Sequence, residues 1–280
     1  MKKILFSLVS ILFVFSLAAC NQKADPVDSK TKDKKGLTLQ EVFEKTTDAS
    51  KNIKSLHADM KLKQTMNIPG QSEPMDTNSN INVDMVLNPI TMHQKMKMEV
   101  QGGGQNQAID MEAYLAKEGF FLFESTSKQW MKMPEELSKQ VIQMPEQQAN
   151  PAEQLKQLKQ FSDDFSFKQN DTQYILNLKA SGEKYDQFLK DNAKQLLPDQ
   201  FKQSEELFNN ISFKNVKYEI FIDKKTFNIQ ELNLTQEMDM KIESNNMSIK
   251  QVMNSKYSDY NKLTKITVPK DVLDNAQEMK

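Results

Sequence analysis

The side chains able to do chemistry are few and scattered. His57 and His93 are the only histidines. Neither stands in a His-Glu-x-x-His segment, the spacing that sets two imidazoles on one helical face around zinc. Each falls on the polar parity of an alternating segment, the place of a surface histidine. The acidic pairs Asp163-Asp164 and Glu205-Glu206 are adjacent in sequence, which does not put two carboxylates on either side of a glycosidic bond. They read as a solvated helix end and a solvated helix face. No Gly-x-Ser-x-Gly elbow presents a nucleophilic serine. Gly102-Gly103-Gly104 has neither the Lys-Ser/Thr sequel nor the following helix of a phosphate loop, and reads as a hairpin turn. The expectation is no enzymatic activity, no cofactor and no metal.

Cys20 is the remaining reactive group. As the only cysteine it has no partner within the chain for a disulfide. Lys2 and Lys3 begin a short positive segment, Ile4–Val14 is an apolar run too short for a comfortable membrane span, and Ala18-Ala19 are the small residues a processing enzyme needs. Residues 1–19 therefore read as an export signal. Leu17-Ala18-Ala19-Cys20 resembles the lipobox of bacterial lipoproteins. That resemblance implies a diacylglyceryl thioether on Cys20, cleavage before it, and often a further acyl chain on the new amino terminus. Two or more chains anchor stably where one does not. The implied location is the extracytoplasmic face of the cell membrane.

Charge argues against nucleic acid as a partner. The chain holds 37 basic and 38 acidic residues, a net of −1, and loss of Lys2 and Lys3 on processing takes that to about −3. Polyanion binding needs basic residues gathered on one face. Asn21–Gly36 is polar and cannot repay the entropy of ordering. It reads as a tether for residues 20–36, able to reach about 50 Å if extended. A single domain over 37–280 follows.

Thr38–Ser55 carries Leu39, Val42, Phe43 and Thr46 at helical spacing, and Thr38 stands three before Glu41 as in a capping box. From Leu56 the period changes to two. Leu56, Ala58, Met60, Leu62 and Met66 share one parity; Pro69-Gly70 stops the strand, and Gln71–Ser79 reads as a loop. Ile81–Leu87 and Ile90–Val100 alternate on either side of Asn88-Pro89 and read as a hairpin. Ala108–Leu115, the aromatic Gly119–Glu124 and Gln129–Pro134 continue the sheet. Helices are expected over Glu135–Val141, Pro151–Phe161 and Glu183–Leu197, with a turn or two over Phe201–Phe208. Strands follow over Ile211–Ile222, Asn228–Lys241 and Asn246–Tyr260. The second half echoes the first loosely, as a two-part repeat would. The fold class is α+β: a large curved antiparallel β-sheet, half-barrel-like and read as one continuous meander, with helices covering its concave apolar face.

This order of elements resembles the LolA/LolB-like superfamily of bacterial lipoprotein carriers and its LprG/LppX-like relatives. More closely, it resembles a group of Gram-positive lipoproteins of unknown function. The resemblance spans about Leu37 to Val268, and it implies lipid binding in the concave cavity without carrying over any ligand residue. A Cys20 anchor departs from a carrier that must leave its membrane.

Seventeen methionines give the pattern its character, because Met is flexible and adapts to irregular apolar partners. The inward set Met60, Leu62, Met66, Met85, Met96, Met98, Met111, Met238 and Met240 is the candidate lining for an acyl ligand. Trp130 is the candidate at the cavity mouth. Two functions fit: a tethered module binding a lipid or other amphiphile, and an envelope protein with a solid core whose outer surface docks another protein.

Overall fold

The first helix is the one the sequence spells most plainly. Thr38 Oγ1 accepts a hydrogen bond from Glu41 N at 3.2 Å while Glu41 Oε2 accepts from Thr38 N at 2.7 Å, closing the capping box that starts α1, Leu39–Ser50. Leu39, Val42, Phe43 and Thr46 form its buried face. The computed structural model describes residues 22–27, 36–142, 150–180, 182–196, 210–242 and 245–279. Cys20, Glu205, Glu206 and the turn expected over 201–208 lie outside them.

Among the described residues thirteen strands form one open sheet. They are β1 (Asp25–Pro26), β2 (Ser55–Asn67), β3 (Met75–Leu87), β4 (Ile90–Gly102), β5 (Gln105–Ala116), β6 (Gly119–Glu124), β7 (Gln129–Lys132), β8 (Phe165–Gln169), β9 (Gln173–Ala180), β10 (Ile211–Asp223), β11 (Ile229–Ile242), β12 (Asn245–Ser258) and β13 (Gln277–Glu278). Among the described residues the helices after α1 are α2 (Glu135–Ile142), α3 (Pro151–Leu158), α4 (Glu183–Leu196) and α5 (Lys270–Asn275), with a 3-10 turn over Lys159–Asp164. The curved, half-open α+β architecture expected from the alternating strands is the one observed.

Its order differs from a single meander. The sheet runs β1-β8-β9-β10-β11-β12-β2-β3-β4-β5-β6-β7-β13. Two antiparallel meanders, β2 to β7 and β8 to β12, therefore meet where β12 pairs with β2, from Ser248↔Asn67 to Ser258↔His57. Alternation within each strand fixes its faces but not which strand lies beside which, so the seam was hidden. At the two outer edges lie strands of two residues each, both parallel to their neighbours: β1 on β8 and β13 on β7. They cover edges that would otherwise offer unpaired backbone groups.

Two segments expected to be loops are part of the sheet. β3 begins at Met75, inside the loop read over Gln71–Ser79. Its polar start pairs on both sides, Thr77 with Gln64 and Val100, and Thr65 Oγ1 donates to Asp76 Oδ1 at 2.6 Å. Part of the expected tether is also docked. Leu39 N donates to Gln22 O and Val27 N to Gln169 O, both at 2.9 Å. Ala24 is 7% exposed and packs in the main core. The docked residues need little apolar content of their own because backbone pairing along β8 holds them.

α1, α3 and the 3-10 turn pack with β8 to β11 around Phe43, Leu155, Phe161, Phe165, Leu176 and Ile220. The helix read over Pro151–Phe161 ends at Leu158, and Phe161 is buried from the 3-10 turn. α5 departs from the expected one-sided arrangement. Val268 and Val272 pack on Tyr114, Ala116 and Phe121, whose register places them on the face away from α1.

Candidate functional site

The register turns the sequence parity into a surface. One row of inward positions crosses the sheet as Phe167, Leu176, Ile220, Leu232, Ser255, Met60, Ile81, Met96 and Met111. The next runs Phe165, Leu178, Tyr218, Leu234, Met253, Leu62, Ser79, Met98 and Ile109. Farther along the strands, Met66 stands opposite both Met75 and Ile249, with Met238 beyond Ile249, and Met240 opposite Met247. Nine of the ten residues expected to line a cavity therefore do share one face.

That face is not uniform. Beneath the helices it is dry: Leu176, Leu178, Ile220 and Ile222 are 0% exposed. Toward β5 and toward the far strand ends it loosens, and Met60, Leu62, Met66, Met85, Met96, Met98, Met111, Met238 and Met240 are all half-buried. Met60 and Met85 pack against a small cluster of Ile53, Leu56, Ala58, Val83 and Leu87. Leu62, Met66, Met96, Met98, Met111, Met238 and Met240 belong to none of the buried clusters formed by the described residues. At a strand spacing of about 4.8 Å and a rise of about 3.3 Å per residue, the rows from β11 to β5 and from Met60 to Met66 mark out roughly 24 by 20 Å.

Trp130 is not part of this surface. It stands opposite Phe123, and its ring lies 5.7 Å from that of Tyr114 and 5.4 Å from that of Phe123, on the outer face under the segment that leads into α5. Phe120, Phe121, Leu122 and Phe123 are all apolar, so β6 offers no parity from which the side could be read.

The outer face is polar, with a cluster that sequence reasoning missed. His57, Asp84, His93 and Tyr114 stand side by side on β2 to β5. His57 Nδ1 lies 2.7 Å from Asp84 Oδ1, and His93 Nε2 2.7 Å from Glu112 Oε1. Tyr114 OH donates to Glu112 Oε1 at 3.1 Å and its ring stacks on His93 with centroids 4.3 Å apart. Burial, the Glu112 charge and this hydrogen bond push the Tyr114 hydroxyl up to about 12. For His57 burial opposes the charge, but hydrogen bonds to Asp84 and Asp59 together with their charges outweigh it and raise its pKa above the usual 6.5. Both histidines are on the polar parity as expected, yet each is engaged by carboxylates from neighbouring strands, a pairing only the register reveals. Among the described residues no group of three or more His, Cys, Asp or Glu is arranged to hold a metal. Among them, too, no helix is long and apolar enough to cross a membrane.

No curated protein matches the chain in sequence. Among solved structures, the lipoprotein LppX of Mycobacterium tuberculosis is similar over 81% of this chain and 97% of its own, at 11% identity and a TM-score of 0.36. A DUF1329 family protein from Desulfovibrio piger is similar over 81% and 95%, at 8% identity and a TM-score of 0.23. Lipovitellin, in a structure concerned with lipid-protein interactions, is similar over 77% of this chain and 26% of its own, at 6% identity and a TM-score of 0.30. LppX, one of the relatives whose resemblance the order of elements suggested, is thus among the neighbours. Residues 38–277 match the family of unknown function DUF6612, and the chain belongs to that family.

Proposed function

We propose that the protein is a membrane-anchored, extracytoplasmic binding module that holds a lipid or other amphiphile against the methionine-rich part of its inner face. Cys20 supplies the anchor, and no chemistry is performed on the ligand. The observation that carries this reading is the contrast along one continuous face. The same rows that are closed under helices at β8 to β11 become half-buried methionines outside every described cluster toward β5. Unbranched, polarizable side chains accept apolar partners of varied shape, and burial of their remaining surface supplies binding energy in proportion to area.

Native mass spectrometry of the protein produced without its first 20 residues, followed by organic extraction, tests the reading. A stoichiometric lipid, lost when the face is made polar while circular dichroism is unchanged, is the expected result. Protein that is empty as purified and stays empty when offered envelope lipids refutes it, and directs the search to a protein partner on the outer surface.

A further inference from the structure

The amino-terminal segment is fastened to the fold far closer to Cys20 than a free tether requires. Gln22 O accepts from Leu39 N at the start of α1, and Lys23 bridges to Thr38. Asp25 and Pro26 lie along Lys168 and Gln169. Gln169 is the clamp. It is 1% exposed, and its Nε2 donates to Ala24 O at 3.1 Å while its Oε1 accepts from Lys224 Nζ at 2.7 Å. Its amide also presses on the far end of the segment: a Cβ built at Gly36 would meet Gln169 Nε2 at 2.6 Å. Both ends of 22–36 are thus held at one corner of the sheet, and only Asn21 separates Cys20 from Gln22. That leaves about 7 Å of chain in place of about 50 Å.

We propose that the β1–β8 corner docks on the bilayer surface, so that the lipid anchor is a short mount that orients the domain. The proposal rests on acylation of Cys20. Acyl chains buried in the membrane bring the Gln22 backbone to the headgroup region, because the single intervening residue cannot span farther. The corner suits that place. Val27 is 52% exposed, and the Lys45 and Lys224 amines sit over the Phe227 and Tyr174 rings at 5.3 and 5.1 Å from the centroids. Lysines carried on apolar rings keep their charge toward headgroups while their stems stay packed.

The chain provides its own labelling scheme, since thioether formation consumes its one native thiol. The full-length acylated protein carrying Val27→Cys, or Gln101→Cys at the opposite end of the strands, is spin-labelled and reconstituted into vesicles of phosphatidylcholine and phosphatidylglycerol. The expected result is a severalfold loss of accessibility to a water-soluble nickel chelate at residue 27 on membrane binding, with no change at residue 101. A flexible Gly-Ser linker inserted between Asn21 and Gln22 should abolish that protection without touching the core. Acylated, vesicle-bound protein with equal accessibility at both sites, or protection indifferent to the linker, overturns the proposal alone. Protein lacking the acyl mass on its N-terminal peptide and failing to float with vesicles overturns the anchor reading and the proposal with it.

Discussion

Replacing Met96 and Met98 together by serine separates a ligand surface from an ordinary core. The two lie in adjacent inward rows, between Ile81 and Met111 and between Ser79 and Ile109. Complete burial of a methionine side chain is worth about 1.5–3 kcal/mol. Each is half-buried in the free protein, so folding has drawn on about 1 kcal/mol per residue and a similar amount is left for a ligand. The double variant should therefore lose about 2 kcal/mol of stability and about 2 kcal/mol of affinity, roughly thirtyfold in Kd. Leu176→Ala is the control: at 0% exposure it should cost about 2–5 kcal/mol and leave affinity unchanged in the fraction that remains folded. Urea unfolding gives the first quantity and displacement of a fluorescent fatty acid the second. A Met96→Ser/Met98→Ser protein that binds like the wild type, or one destabilised by about 3–6 kcal/mol as two fully buried methionines would be, would falsify the argument that this half of the face is reserved for a ligand.

The outer face provides an independent set of expectations. Val268→Asp places a charge among Tyr114, Phe121 and Trp130 and should red-shift the single tryptophan's emission, whereas a ligand on the methionine rows should leave emission unchanged; a shift on ligand addition would put Trp130 back at the site. The raised pKa of His57 has a sign: its stabilisation is fully present below the unfolded-state pKa and is lost as pH rises through the folded value. Denaturation midpoints should thus fall as pH rises above the ordinary histidine value of 6.5, and Asp84→Asn should flatten the fall; an unchanged slope by urea titration counts against the pairing. In the glycine turn, a Cβ at Gly102 would stand 2.0 Å from Pro74 O with φ at +94°, so Gly102→Ala should cost more than the strain of about 1–3 kcal/mol expected from backbone conformation alone. Gly104 meets nothing within 4 Å, and Gly104→Ala should cost about 1–2 kcal/mol. Equal melting temperatures for the two variants would contradict the close approach.

Local pattern made much of the sheet legible. The capping box at Thr38, the period change at Leu56 and the Asn88-Pro89 hairpin are each written within a few residues, and the structure follows them. The inward methionines could be assigned a face for the same reason: period two fixes parity without knowledge of neighbours. What escaped is what depends on partners remote in sequence. Thr77 and Asn78 carry no apolar signal and are strand because β2 and β4 flank them. Asp25 and Pro26 join the sheet because β8 offers an edge. Trp130 sits among residues that are apolar on both parities, so its side was undetermined. His57 and His93 looked solitary until pairing brought Asp84 between them.

The β12–β2 seam also sets the order in which the molecule can be completed. β2 emerges early and pairs with β3 at once, yet its other edge waits for residues such as Ser248, whose Oγ accepts from Asn67 Nδ2 across 181 positions of sequence. Until then the first meander is half a sheet with an open hydrogen-bonding edge, the kind of intermediate that recruits other chains. Joining the halves is a long-range closure, slow by its topology. The same closure makes the halves interdependent. A lesion in β12 that leaves its own hairpin with β11 intact would still expose β2, so damage to the last long strand is felt first as misassembly of the first.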